Sequence, residues 1–209
     1  MNRQRIGTRN ASAGIATVEF AIVLPLLILL ALPIVDFARA IQVHMILINV
    51  SREGASLASS GSVPLKDASQ TIMGSLAATA PALDMNARGM IYITKIMGNR
   101  DRSGAIRNVI LEQYRWDDRH GGSGWNRSRY SPASAIWNCN GWRSDGSCTD
   151  IPPPESAPSV DLMAGALSDG EVIYAVESFY HFNAFVGAMT SGFGKISAIG
   201  PDLYAMSVF

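Results

Sequence analysis

The feature that most constrains this chain is a long apolar run near its N-terminus, AGIATVEFAIVLPLLILLALPIV, from Ala13 to Val35. At roughly 1.5 Å per residue, a helix from Ile15 to Val35 is about 31 Å long, enough for the hydrocarbon core of a bilayer. The leader before it, residues 1–14, carries Arg3, Arg5 and Arg9 and no acid. By the positive-inside rule that leader stays in the cytoplasm, and everything after Val35 lies on the far side of the membrane. A secretory signal peptide has a shorter apolar region followed by a small-x-small cleavage site, and Leu-Pro-Ile-Val-Asp-Phe (32–37) offers none.

One acid interrupts the run. Glu19 lies five positions after Gly14. Deep in lipid an acid costs about 2.5 to 3.5 kcal/mol on insertion scales, so intramembrane acids usually have a partner. Two readings are open. Glu19 sits only a turn inside the cytoplasmic interface, where the cost is small, or it pairs with a cation on a neighbouring subunit. A buried carboxylate and a buried ammonium each need an opposite charge, so such a pair selects a staggered neighbour in an assembly.

Pro25 and Pro33 fall inside the run, where transmembrane helices tolerate proline. Beyond Asp36 the helical pattern continues to Gly61. Arg39, Gln42, Asn49, Glu53 and Ser56 fall on one arc. Phe37, Ile41, Ile48 and Ala55 fall on another, widened by Ala40, Val43, Leu47 and Val50. Gly61 and Pro64 stop the helix. A single element of about 45 residues thus spans the membrane and supplies the spine of an outer domain.

The residues Gly14, Glu19, Phe20, Leu24, Pro25, Arg52, Glu53, Gly54 and Ala55 carry a resemblance. The basic leader with Gly-x4-Glu and a long apolar helix resembles the class III signal of type IV pilins and pseudopilins. The whole stretch 13–61 resembles the TadE-like family of the tight-adherence (Flp) pilus system. The resemblance implies cleavage by a prepilin peptidase between Gly14 and Ile15, and a Glu19 that pairs with a neighbour's new N-terminal amine. Gly7 does not fit the same pattern, because Ser12 stands where the acid would be. The resemblance further implies a minor pseudopilin without catalytic activity. Its partners would be the peptidase, the pilus platform and its ATPase, and other pilin or pseudopilin subunits. The alternative is an uncleaved bitopic protein whose outer domain binds a ligand or envelope component.

Composition limits the rest. Basic and acidic residues number 17 each and only 16% of the chain is charged, so no basic surface for nucleic acid is expected. The outer part, residues 62–209, is long enough for one modest domain. Lys66 to Ala80 reads as a second helix. Met90 to Met97 and Ile106 to Trp116 read as an antiparallel hairpin, Glu171 to Phe182 as a third strand and Leu203 to Phe209 as a fourth. The expected fold class is α+β, with the long N-terminal helix (15–36 in the membrane, 37–61 beyond it) packed on a small antiparallel sheet.

The stretch 117–160 has no sustained period and reads as a long loop. It contains the only two cysteines, Cys139 and Cys148. Outside the cytoplasm these are expected to form a disulfide, stabilising by roughly 2 to 3 kcal/mol. With only His120 near them, a tetrahedral metal site is not expected. Trp116, Trp125, Trp137 and Trp142 lie among Arg115, Arg119, Arg127, Arg129 and Arg143. This set suits an adhesive or partner-binding surface. It equally suits pinning of the loop onto its own sheet. His44, His120, His181 and Asp117-Asp118 form no catalytic motif, and no cofactor loop is present.

Overall fold

The computed structural model describes residues 11–61, 63–116, 130–184 and 202–209, with side chains from residue 16 onward. Helix α1 (Ala11–Ser60) is continuous through Pro25 and Pro33. It is followed by α2 (Leu65–Ala78), a short α3 (Met85–Arg88) and four strands, β1 (Gly89–Arg100), β2 (Ile106–Arg115), β3 (Val172–His181) and β4 (Asp202–Val208). Among the described residues α1 is the one helix long and apolar enough to cross a membrane. The chain divides into two units. One contains α1 as far as Arg39, and the other contains Ala40 to Phe182 together with β4.

The sheet is antiparallel throughout, in the order β2-β1-β3-β4. The α+β class expected from the sequence is the class observed. The β1–β2 ladder runs on to Arg100 opposite Ile106, past Met97, where the strand is expected to end from the sequence. Asp101 closes the hairpin by accepting hydrogen bonds from the Ser103 and Ala105 amides, at 2.8 and 3.1 Å. Helix α3 was not expected. Asp84 caps it, accepting from the Ala87 amide at 3.1 Å.

The outer part of α1 packs on one face of the sheet. The Ser178 hydroxyl on β3 donates to the Leu47 carbonyl at 3.0 Å, and Ser51 meets Ser207 of β4 at 3.3 Å. Gly54 makes the approach close, since a Cβ there would lie 2.7 Å from Leu76 Cδ1 and 3.0 Å from Val176 Cγ1. Helix α2 adds Met73 and Leu76 to this layer, beside Ile91, Ile93 and Val176 from the sheet. Burying each such side chain stabilises by roughly 1.5 to 3 kcal/mol.

The α1 pattern needs one correction. Ala40, Val43, Leu47, Val50 and Ala55 are buried as the apolar arc requires, but Phe37, Ile41 and Ile48 are exposed. The sequence reads these residues as one widened apolar arc, and the domain covers only part of its width.

The opposite face of the sheet is covered by irregular chain, residues 130–168. Ile136, Val160 and Leu162 pack there against Ile96, Leu167, Ile173 and Ala175. The same segment pairs with the outer edge of β2. The Arg115 and Ile110 amides donate to the Gly146 and Pro158 carbonyls, and the Cys148 and Val160 amides donate to the Gln113 and Asn108 carbonyls. The β2 edge is therefore closed along these positions, which removes a template for aggregation.

Candidate assembly helix and the polar staple of the outer domain

Gly14 and Ile15, the pair at the expected cleavage site, lie in the first turns of α1, and Glu19 and Phe20 follow on the same helix. Glu19 and Phe20 are both exposed, and no residue from 16 to 35 is buried. Residues 16–35 are thus an apolar helical stretch with one acid on it. At the outer end of α1 Arg52 and Glu53 point away from the domain, while Gly54 and Ala55 pack into it. This four-residue stretch divides its work: the small pair lets the sheet approach, and the charged pair faces outward. Asp36, where the apolar run ends, is buried and lies 3.4 Å from Arg39.

On the loop-covered face of the sheet, Glu177 of β3 is fully buried. Its carboxylate accepts from the Ser134 hydroxyl, from the Ala135 amide at 2.8 Å and from the Tyr204 hydroxyl at 3.2 Å. Ser134 in turn accepts from Gln113 Nε2 at 3.0 Å, and Gln113 also donates to the Trp137 carbonyl at 3.1 Å. Burial raises the Glu177 carboxyl above the ordinary carboxylate range, and the surrounding hydrogen bonds offset this in part. Tyr92, on the neighbouring strand, is pushed up to about 12, chiefly by burial. The arrangement is a staple: an acceptor in the middle of the sheet holds the donors of residues 134–135. Nothing in the sequence singled out Glu177 beyond its being the lone acid within an apolar β run.

Cys139 and Cys148 are joined, with an S–S distance of 2.00 Å. Trp142, inside the loop they close, carries Arg115 over its ring at 5.1 Å and has Tyr92 at 5.8 Å between centroids. Trp116 is buried and donates its amide to the Ile91 carbonyl, and Trp137 is half-buried. Trp125, with His120, Asp117, Asp118, Arg119, Arg127 and Arg129, lies outside the described residues. Among the described residues no group of three or more His, Cys, Asp or Glu is arranged to hold a metal. His44 lies on α1, and His181 at the end of β3 faces Asp202 at 3.1 Å.

The molecule is of a definite class: a long N-terminal helix, apolar and exposed over residues 16–35, followed by a small α+β domain with a four-stranded antiparallel sheet. Residues 14–56 match the family model described as TadE-like protein, so the chain carries a TadE-like segment along this helix. No curated protein and no solved structure matches the chain.

Proposed function

We propose that this chain is a pseudopilin-like structural subunit, acting in assembly or anchoring of a tight-adherence pilus rather than in catalysis. The observation that carries this reading is the position of the family match. It begins at Gly14, includes Glu19, and runs along α1 to the residues that seat the outer domain. A prepilin peptidase cuts after Gly14. The apolar half of α1 holds the subunit in the inner membrane, with the N-terminus cytoplasmic and the α+β domain on the periplasmic side. Glu19 then sets the register of the subunit against a neighbouring pilin or pseudopilin by meeting its free amine, and the pilus platform acts on the assembled helices. On the outer domain, half-buried Trp137 and Trp142, the latter followed by exposed Arg143, are the aromatic residues that meet a partner in this reading.

The test is Glu19→Ala in cells that assemble the pilus. The expected result is a protein that is processed and present at normal levels but supports little piliation. Normal piliation with this variant would remove the pairing mechanism.

A further inference from the structure

The outer edge of β2 is closed in two halves, and the two pieces of chain that close it are held by different forces. At one half the Ile110 amide donates to the Pro158 carbonyl at 3.1 Å, and the Val160 amide donates to the Asn108 carbonyl at 2.9 Å. Val160 and Leu162 pack that piece against Ile96, Leu167 and Ile173, so apolar burial keeps it in place. At the other half the Arg115 amide donates to the Gly146 carbonyl at 2.8 Å, and the Cys148 amide donates to the Gln113 carbonyl at 2.9 Å. Here the covering piece is a small hairpin, residues 141–149. Its arms are joined by bonds from the Thr149 amide to Gly141 and from the Arg143 amide to Ser147, each 2.9 Å. A hairpin of this size is marginal by itself. Residues 140–147 read Asn-Gly-Trp-Arg-Ser-Asp-Gly-Ser, and their one large apolar side chain, Trp142, is half-buried. Gln70 of α2 donates to the Asp145 and Arg115 carbonyls at 2.9 Å, a polar contact of modest net worth. The covalent hold is the Cys139–Cys148 bond. It joins the second arm to the chain beside Trp137, whose carbonyl accepts from Gln113 Nε2 at 3.1 Å. Gln113 is thus gripped near both ends of the disulfide loop.

We propose that this disulfide is a redox latch on the β2 edge. Oxidised, it fixes the hairpin against Gln113–Arg115. Reduced, the hairpin leaves and that half of the edge opens, while the half at Asn108–Ile110 stays closed. An open edge is a row of unpaired backbone groups to which another strand can add. Trp142 moves with the hairpin, so the latch also sets its ring against Arg115 and Tyr92, at 5.1 and 5.8 Å. Closure is thiol–disulfide exchange: the two thiols give up two protons and two electrons as the S–S bond forms, and the disulfide of an oxidising thiol protein becomes a dithiol. The latch rests on the outer domain standing in an oxidising compartment, but on no role in a pilus.

The experiment is amide hydrogen exchange, read by mass spectrometry, on the full chain in detergent. The oxidised protein is compared with the protein reduced by a phosphine, reduction being confirmed by thiol alkylation, and with the Cys139→Ser/Cys148→Ser double variant. Peptides covering 112–116 and 146–149 report the latched half, and peptides covering 108–111 and 158–161 report the other. Without the bond, exchange at Arg115 and position 148 is expected to be roughly tenfold faster, with Ile110 and Val160 unchanged. Unchanged exchange at both halves would overturn the proposal, because hydrogen bonds alone would then hold the hairpin. Faster exchange at both halves of the reduced protein would also overturn it, because the bond would then support the whole layer. The reduced protein keeps every native side chain, so its result decides if the variant accumulates poorly. Loss of the pilus role would leave these rates as they are, so the two readings fail separately.

Discussion

Gly54 shows how much one missing side chain can decide. It stands between Leu76 of α2 and Val176 of β3, closer than a Cβ permits. An alanine there gains roughly 1 kcal/mol in helix propensity and loses part or all of that to the clash. A valine gains less and must displace Val176, whose branched side chain has little room to turn. Gly54→Val is expected to destabilise the domain by about 1 to 3 kcal/mol, seen as a lower thermal midpoint of the full chain in detergent. Gly146 is a second such position. Its φ of +79° suits glycine, and a Cβ would come within 2.3 Å of the Arg115 carbonyl oxygen. Neither requirement was legible in the sequence. A glycine in a helix or a loop does not announce what approaches it, although Gly54 was already conspicuous as part of the TadE-like pattern.

At the level of elements, helices and strands followed from period and composition because each buries a face of its own. The long α1 and the four strands were legible for that reason, with ends displaced by a few residues. The irregular layer was not. Residues 130–168 are held by backbone bonds to β2 and by the carboxylate of Glu177, contacts that join positions more than 30 residues apart and leave no local pattern. The apolar arc of α1 was legible. Which part of it meets the sheet was not, because periodicity describes the helix and not its neighbour.

The Glu177 staple makes this layer sensitive to pH. With its pKa raised in the folded state, the folded chain holds the proton more tightly than the unfolded chain does. The contribution to stability is therefore fully present below the ordinary glutamate range and is lost as pH rises through the folded value. Glu177→Gln removes this dependence. The variant is expected to gain on the wild type between pH 4 and pH 7, measured as the difference in thermal midpoint. A difference that stays constant, or moves the other way, would show that the buried carboxylate is better stabilised by Ser134, Ala135 and Tyr204 than by water.

On the scale of the whole molecule, the second unit has its own two-sided core, and α1 contributes its residues from Ala40 onward to it. The domain uses one stripe of that helix. Residues 16–35 and, farther on, Ile41, Met45 and Ile48 are not buried in that core. That division is what a subunit needs if it is first stored in a bilayer and later packed among other helices. It also sets apart two groups of TadE-like residues in place, Gly14 and Glu19 at the start of the helix and Gly54 and Ala55 where the sheet docks.

The account depends most on the N-terminus of the mature chain. The decisive measurement is the N-terminal residue of the membrane-extracted protein, by intact mass or N-terminal sequencing, in cells with and without prepilin peptidase. A chain that begins at Ile15 only when the peptidase is present is the predicted result. A chain that still begins at Met1 or Asn2 in both strains would contradict it, and would leave α1 as a plain anchor for the outer domain.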